Sequence, residues 1–160
     1  MIADLDTLYD KIDESVKKGN CLLNSKNVVE RYNGDDWMKY VTFNTNNYTR
    51  NIVKRGDAIE MLIICWLKKQ QSKIHDHPEN GCLMRLLDGE FEEHIYNIDG
   101  RSLRKIYTVK QNDIRYQEGN AGIHKIINKD NNSISLHIYS PPNYSAKIYD
   151  ESQYNIEFLN

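Results

Sequence analysis

The stretch KIHDHPENGCLMRLLDGE, residues 73–90, places two histidines, a proline and a cysteine at the start of a strand-like pattern. Successive side chains of a β-strand point to opposite faces, so His75 and His77 are predicted to face the same side. Two imidazoles on one face either meet water or share a ligand that nitrogen bases can hold, such as a metal ion. The H-x-H pair alone leaves both interpretations open.

Short segments rich in β-branched and aromatic residues surround this stretch from about residue 47 onward, separated by turn residues. The predicted strands are YTRNIVKR, AIEMLIICWL, CLMRLL, EFEEHIYNI, SLRKIYTVK, DIRYQ, HKIIN, SISLHIYS and AKIYD. Asp-Gly dipeptides at 88–89 and 99–100 are typical of hairpin turns. Many short strands without a long helix between them predict a mainly β fold, an antiparallel barrel or jelly roll.

The N-terminal part of the chain has a helical period instead. Apolar residues recur at helical spacing over residues 5–16, and Gly19 stands where a helix C-cap is expected. Shorter helical turns are predicted in KNVVERY and GDDWMKYV. We therefore expect one domain over residues 1–160, with short N-terminal helices in 1–40 and a β-barrel in 41–155.

The composition argues against several classes of function. Lys and Arg number 21 against 23 Asp and Glu, so the net charge of -2 gives no broad electrostatic grip on nucleic acid. The acidic N-terminal segment does not resemble a signal peptide, and no apolar run approaches the ~18 residues of a membrane span. Cys21, Cys65 and Cys82 form no CxxC pair, which favours reduced thiols. We expect a cytoplasmic protein that binds neither nucleic acid nor membranes.

A third histidine, His124, lies further along the chain in EGNAGIHKIIN, between Gly119 and Asn128. The H-x-H pair and this later G-x-x-x-x-H-x-x-x-N segment together resemble the two sequence motifs of the cupin superfamily. The resemblance implies a cupin jelly-roll barrel with a metal site inside it.

Cupins usually add a glutamate ligand a few residues after the H-x-H pair, but here Cys82 stands close to that place. Glu79 is too near the pair and follows a proline in a predicted turn. The resemblance therefore implies a metal site of three histidines, His75, His77 and His124. Three neutral imidazoles leave the charge of a divalent metal uncompensated, which suits an anionic thiolate and O₂. Ligand type alone does not name the metal.

Six segments carry a more specific resemblance. They are YTRNIV (48–53), IICW (63–66), IHDH (74–77), Cys82 with the following LMRLLDGEFEE, GIHKI (122–126) and SLHIYSPP (135–142). In order and spacing the chain resembles the cysteine dioxygenase family from about residue 37 to residue 150. The resemblance implies a monomeric enzyme with one iron(II) per chain that uses O₂ to oxidise L-cysteine to cysteine sulfinic acid.

The same resemblance assigns roles to side chains around the metal. Arg50 would bind the substrate carboxylate with its planar guanidinium, and Tyr48 would add its hydroxyl nearby. Ser135, His137 and Tyr139 alternate onto one strand face, so a chain of hydrogen bonds between them is geometrically natural. The alternative is a polar strand face that meets solvent. The family favours the relay, with the Tyr139 hydroxyl aimed at the substrate and O₂.

Cys82 and Tyr139 match the pair that a thioether cross-link joins in animal members of the family. The family also implies a cis peptide bond at Ser140-Pro141. Two residues fall outside the pattern: Ala146 replaces a second cysteine of the animal members, and His94 belongs to no motif and is predicted to lie on the surface.

Three alternatives stay open. The nearest is a dioxygenase for 3-mercaptopropionate or cysteamine, although relatives that use the former tend to have glutamine in place of Arg50. The second is a non-redox cupin enzyme, such as an isomerase with zinc or manganese. The third is a binding module or sensor that holds a metal without turnover, which Arg50 and Tyr139 argue against.

Overall fold

The computed structural model describes residues 1–99 and 101–150, and its β-strands form two five-stranded sheets. The strands are β1 (Thr49–Arg55), β2 (Glu60–Trp66), β3 (Ile74–His75), β4 (Cys82–Asp88), β5 (Glu90–Tyr96), β6 (Leu103–Lys110), β7 (Ile114–Gln117), β8 (Ile123–Ile127), β9 (Ser133–Tyr139) and β10 (Ile148–Tyr149). The first sheet has the order β1-β2-β9-β4-β7 and the second the order β10-β3-β8-β5-β6. This architecture confirms the predicted mainly β fold with short N-terminal helices.

The helices lie before the first strand, apart from one short turn. They are α1 (Leu5–Lys17), α2 (Lys26–Glu30) and the 3₁₀ helices Leu22–Ser25, Asp36–Tyr40 and Gly119–Ala121. The side chain of Asp4 caps α1 by accepting a hydrogen bond from Thr7 N, and Gly19 follows the helix with φ +87°. The predicted first helix and its cap are confirmed. Within the described residues, no helix combines the length and hydropathy that a membrane span requires.

Strand β2 is buried on both faces, which explains its unbroken apolar sequence EMLIICW. Its odd-numbered residues from Met61 to Cys65 belong to the core that includes α1. Its even-numbered residues from Leu62 to Trp66 belong to a second core inside the barrel. The amphipathic helix thus covers the outer face of the first sheet and leaves its inner face to line the site.

The chain crosses from one sheet to the other at Asp88 and Gly89. Strand β4 pairs with β7 and β9, whereas β5 pairs with β6 and β8, so the predicted hairpin at 88–89 is wrong. Gly89 has φ +92°, and a Cβ there would lie 2.3 Å from Ser133 Oγ. Glycine is therefore required for the crossing, and not for a two-strand turn.

Other boundaries also depart from expectation. His75 lies in the two-residue strand β3, but His77 lies beyond its end, so the H-x-H pair is only partly in a strand. Strands β5 and β6 do form a hairpin around Asp99. Its Gly100, and the predicted barrel boundary at residue 155, lie outside the described residues.

Candidate metal centre and active site

Three histidine side chains converge inside the barrel. His75 on β3 and His124 on β8 are directly opposite in the antiparallel register, and His77 follows β3. The Nε2 atom of His124 lies 3.0 Å from Nε2 of His77 and 3.2 Å from Nε2 of His75. In the part of the chain that the structure describes, this is the single group of three His, Cys, Asp or Glu side chains placed to hold a metal.

The hydrogen bonds of these histidines fix which nitrogen carries the proton. Nδ1 of His75 lies 2.8 Å from Lys73 O, and Nδ1 of His77 lies 2.6 Å from Gly122 O. A carbonyl oxygen only accepts, so each Nδ1 donates and each Nε2 presents a lone pair to the centre. Burial lowers the pKa of all three imidazoles, which keeps them neutral.

This donor set fits a divalent transition metal. Two nitrogens that bind one ion at about 2.1 Å and at right angles lie roughly 3.0 Å apart, close to the observed separations. Without a cation, three lone pairs would face one another with no proton between them. Cys82 is not among the converging groups, and Glu79 is exposed at the surface.

A buried carboxylate that the sequence did not single out supports His124. Glu93 on β5 is fully buried, and its Oε1 accepts a hydrogen bond of 2.8 Å from Nδ1 of His124. Gln117 and Arg115 donate to the same carboxylate. His124 therefore differs from the other two ligand candidates, whose Nδ1 atoms face neutral carbonyls. The available signal was the position of Glu93 on the inward face of its strand, between Phe91 and Ile95.

Asp76 is a second supporting group that the sequence did not single out. This buried side chain lies between the H-x-H histidines in the chain and accepts hydrogen bonds from Tyr144 Oη and Lys147 N. These hydrogen bonds hold the segment that follows β9 against the loop that carries His77.

The three relay candidates on β9 form a continuous hydrogen-bonded chain. Ser135 Oγ lies 2.8 Å from His137 Nε2, and His137 Nδ1 lies 3.2 Å from Tyr139 Oη. Trp66 also donates from Nε1 to Ser135 Oγ at 3.0 Å. Burial, with the positive charge of Arg50, lowers the pKa of His137, and burial raises that of Tyr139. The histidine is neutral and the tyrosine protonated.

The substrate-binding candidates lie beside this hydrogen-bonded relay. The guanidinium carbon of Arg50 is 5.4 Å from the centre of the Tyr139 ring. Tyr48 precedes β1, and its ring stacks on Trp66 with 4.3 Å between centres. Cys82 is the cross-strand partner of Tyr139, and burial raises the pKa of its thiol, which keeps it protonated. The structure thus brings all the predicted site residues together, and their roles stay predictions.

The remaining sequence motifs have structural explanations. Asn128 is buried and donates to the carbonyls of Trp66, Leu67 and Asn131, so it ties β8 to the end of β2. The Ser140-Pro141 bond is cis, as expected. His94 lies on the outward, partly exposed face of β5, as predicted, and its Nε2 is 2.8 Å from Glu92 Oε2. Ala146 is exposed.

The two sheets divide the site between them. The second sheet carries His75 and His124, and the first sheet carries Arg50, Cys82 and the relay on β9. A double-sheeted antiparallel barrel that encloses three converging, neutral histidines defines a metal-binding protein of the cupin class.

Comparison with solved structures supports the assigned fold. A double-stranded β-helix protein from Klebsiella pneumoniae superposes with a TM-score of 0.61 and 19% identity, over 71% of this chain and 94% of that one. A cupin superfamily protein from Desulfitobacterium hafniense gives a TM-score of 0.53 and 13% identity, over 62% and 83% of the chains. At these identities the likeness concerns the fold alone.

Sequence comparison identifies the family. The family model described as cysteine dioxygenase type I matches residues 9–152. Cysteine dioxygenase type 1 of Danio rerio is 33% identical over 137 residues, which cover 79% of this chain and 68% of the relative. The rat protein of the same name is 30% identical over 134 residues, with coverages of 78% and 67%. The chain belongs to the cysteine dioxygenase type I family.

Membership of this metal-dependent family makes the chain a thiol dioxygenase, an oxidoreductase that acts on a thiol with O₂. It disfavours the non-redox isomerase and the binding module considered above. The residues of the site bear on which thiol and which metal this chain uses.

Proposed function

We propose that this chain is a monomeric, single-domain cytoplasmic enzyme that oxidises L-cysteine to cysteine sulfinic acid with O₂ and one iron(II) per chain, and binds neither nucleic acid nor membranes. The observation that carries the proposal is the guanidinium of Arg50 beside Tyr139, across the barrel from three neutral histidines. A cation opposite a metal site matches a substrate with a thiol at one end and a carboxylate at the other.

Arg50 supplies the specificity in this proposal. Among residues 1–99 and 101–150, no Asp or Glu forms an ion pair with it, so its charge is available to a ligand. A planar guanidinium binds a carboxylate with two parallel hydrogen bonds. Cysteamine lacks that carboxylate, and Tyr48 adds a further hydroxyl at the same end of the pocket.

His75, His77 and His124 would hold the iron, whose ordinary ligands include imidazole. Iron(II), when bound there, supplies the redox centre between the thiol and O₂. The overall reaction balances without an organic cofactor, because both atoms of O₂ enter the product and the sulfur provides all four electrons. Within the described residues no carboxylate joins the three histidines as a ligand candidate, so an anionic thiolate would be free to bind the cation directly.

The residues of the first sheet orient the reacting groups. Arg50 holds the carboxylate, which removes rotational freedom before O₂ reacts. Tyr139, kept protonated by burial, presents a hydrogen to the substrate, and His137 and Ser135 hold its oxygen in place. Apolar side chains of the inner core, including Leu62 and Phe91, exclude water around them.

Oxygen consumption tests the proposal. Protein loaded with iron(II) under anaerobic conditions should take up O₂ with L-cysteine and form its sulfinate, and chelation should abolish uptake. Arg50→Ala should lower kcat/KM for cysteine by about 30-fold, or about 2 kcal/mol, near the lower end for a charge pair because Arg50 is exposed in the free protein. Cysteamine oxidation should change far less.

Arg104→Ala is the matched control, because Arg104 is an exposed arginine on β6 with no part in the site. It should leave all rates unchanged. Faster oxidation of 3-mercaptopropionate or cysteamine than of cysteine would replace the proposed substrate, and the absence of uptake with all three thiols would overturn the proposal.

A further inference from the structure

The relay on β9 has three hydrogens of its own for two internal hydrogen bonds. Ser135, neutral His137 and Tyr139 each carry one polar hydrogen. The relay contains one hydrogen bond between the serine and the histidine and one between the histidine and the tyrosine. One hydrogen must therefore point out of the chain. It belongs either to Ser135 at one end or to Tyr139 at the other.

Trp66 decides between these ends. Its indole nitrogen can only donate, and it already donates to Ser135 Oγ at 3.0 Å. Ser135 is completely buried, and within the described residues its hydroxyl has no hydrogen-bond partners other than Trp66 and His137. If His137 donated to Ser135, the serine hydrogen would be buried without an acceptor, which is unfavourable.

The hydrogen that points out of the relay is better placed on Tyr139. Tyr139 retains a small exposed fraction, whereas Ser135 has none, and in the proposed function the tyrosine hydroxyl faces the bound substrate. Arg50, beside it, is also donor-only and cannot take the hydrogen. At Nδ1 of His137, the Cys82 sulfur at 4.0 Å is a further weak acceptor, since its own hydrogen is directed to Leu83 O. A proton on Nδ1 is thus surrounded by acceptors.

We infer that the hydrogen bonds of the relay run in one direction, from Trp66 through Ser135 and His137 to Tyr139, and that Trp66 is the positioning residue because it offers Ser135 no acceptor for its hydrogen. His137 is then the Nδ1–H tautomer, and the Tyr139 hydrogen is permanently free for the pocket. The consequence for catalysis rests on the proposed function, because only there does the substrate accept that hydrogen.

Nitrogen NMR of the metal-free protein tests the direction without any turnover. In ¹⁵N-histidine-labelled wild type at pH 7.5, long-range proton–nitrogen correlations should show His137 protonated on Nδ1 alone, its signals being identified by their loss in His137→Gln. Protonation on Nε2 would overturn the inference. This measurement needs no substitution in the relay other than the one used for assignment.

Two substitutions test the role of Trp66. Trp66→Gln introduces a carbonyl oxygen that can accept the Ser135 hydrogen, so the Nε2–H tautomer should appear. Trp66→Phe removes the donor but adds no acceptor, so the Nδ1–H tautomer should persist. Retention of the wild-type tautomer in a folded Trp66→Gln protein would refute the role of Trp66. Loss of that tautomer in Trp66→Phe would overturn the argument that the lack of an acceptor at Ser135 sets the direction.

Kinetics connect the direction to the reaction. Trp66→Gln should lower kcat for cysteine by about tenfold or more, with less effect on KM, because a hydrogen-bond donor is withdrawn from the reacting groups. A kcat unchanged despite a reversed tautomer would show that the direction has no catalytic role. If no thiol supports O₂ uptake but the tautomer is Nδ1–H, the proposed function fails and the assigned direction stands.

Discussion

Glu93 shows how much a single inward-facing carboxylate adds to this site. It is the one charged acceptor among the three groups that hold the Nδ1 atoms of the converging histidines. A carboxylate orients the imidazole and increases its basicity, while Arg115 balances the buried charge. His124 is consequently expected to bind a metal most strongly of the three ligand candidates.

Substitution of Glu93 by glutamine should weaken metal binding by roughly 10- to 100-fold, because the negative charge behind His124 is lost while the shape is kept. Competition with a chelator measures this affinity directly, without turnover. Glu92→Gln is the matched control, since Glu92 lies next to it on β5 but bonds His94 and Lys129 instead. Equal affinities of the Glu93 and Glu92 variants would contradict the assigned role.

The sequence predicted the metal-ligand candidates better than their supports, for a physical reason. The H-x-H spacing is local, and the family motifs contain His124. The contact between Glu93 and His124 depends instead on the pairing of β5 with β8, which sets residues 31 positions apart side by side. The donation from Trp66 to Ser135 likewise depends on the pairing of β2 with β9.

At the level of secondary structure, periodicity predicted the elements but not their partners. The alternating and apolar segments became strands, and the helical period over residues 5–16 became α1. The Asp-Gly dipeptide at 88–89 was misread because a left-handed glycine serves a sheet crossing as well as a hairpin. Local sequence sets the backbone conformation there, and distant strands decide which sheet the chain joins.

Strands β4 and β9 place Cys82 directly opposite Tyr139. We propose that a thioether joins them in this chain, as the resemblance to animal members of the family implies. Formation of the bond removes one hydrogen atom from the thiol and one from the ring, and O₂ takes up both protons and both electrons as hydrogen peroxide. Intact-mass analysis after incubation with iron(II), cysteine and O₂ should show the slow loss of two hydrogen atoms, together with rising activity.

Cys82→Ala should show no mass change and should keep a reduced activity, because the proposed link would hold the tyrosine in place and would take no part in metal binding. A wild-type mass that stays constant at full activity would refute the cross-link. Full inactivity of a folded Cys82→Ala protein would show that the thiol itself is required.

At the scale of the whole molecule, buried neutral histidines make stability depend on pH. Burial lowers the folded-state pKa of His77, His124 and His137 below the ordinary value of about 6.5. Below pH 6.5 the unfolded chain therefore binds more protons than the folded chain, and stability falls as pH falls. Each such histidine lowers the free energy of unfolding by up to about 1.4 kcal/mol for every pH unit of acidification below 6.5.

Urea unfolding of the metal-free protein should accordingly give lower midpoints at pH 5.5 than at pH 7.5. His137→Gln should make this dependence shallower by about one proton, whatever its effect on absolute stability. A midpoint that stays constant or rises on acidification would show that the histidines are protonated in the folded state. Metal should oppose the loss, because it binds the deprotonated form.

The division of the site between two sheets has a consequence for substrate choice. The metal-ligand candidates His75 and His124 belong to one sheet and Arg50 to the other, so a substrate held at both ends must bridge the barrel interior. The distance between the sheets would then select substrates by the number of carbons between their thiol and their carboxylate. Substitutions that only change how the sheets pack, far from any ligand atom, can therefore retune which thiol acid fits.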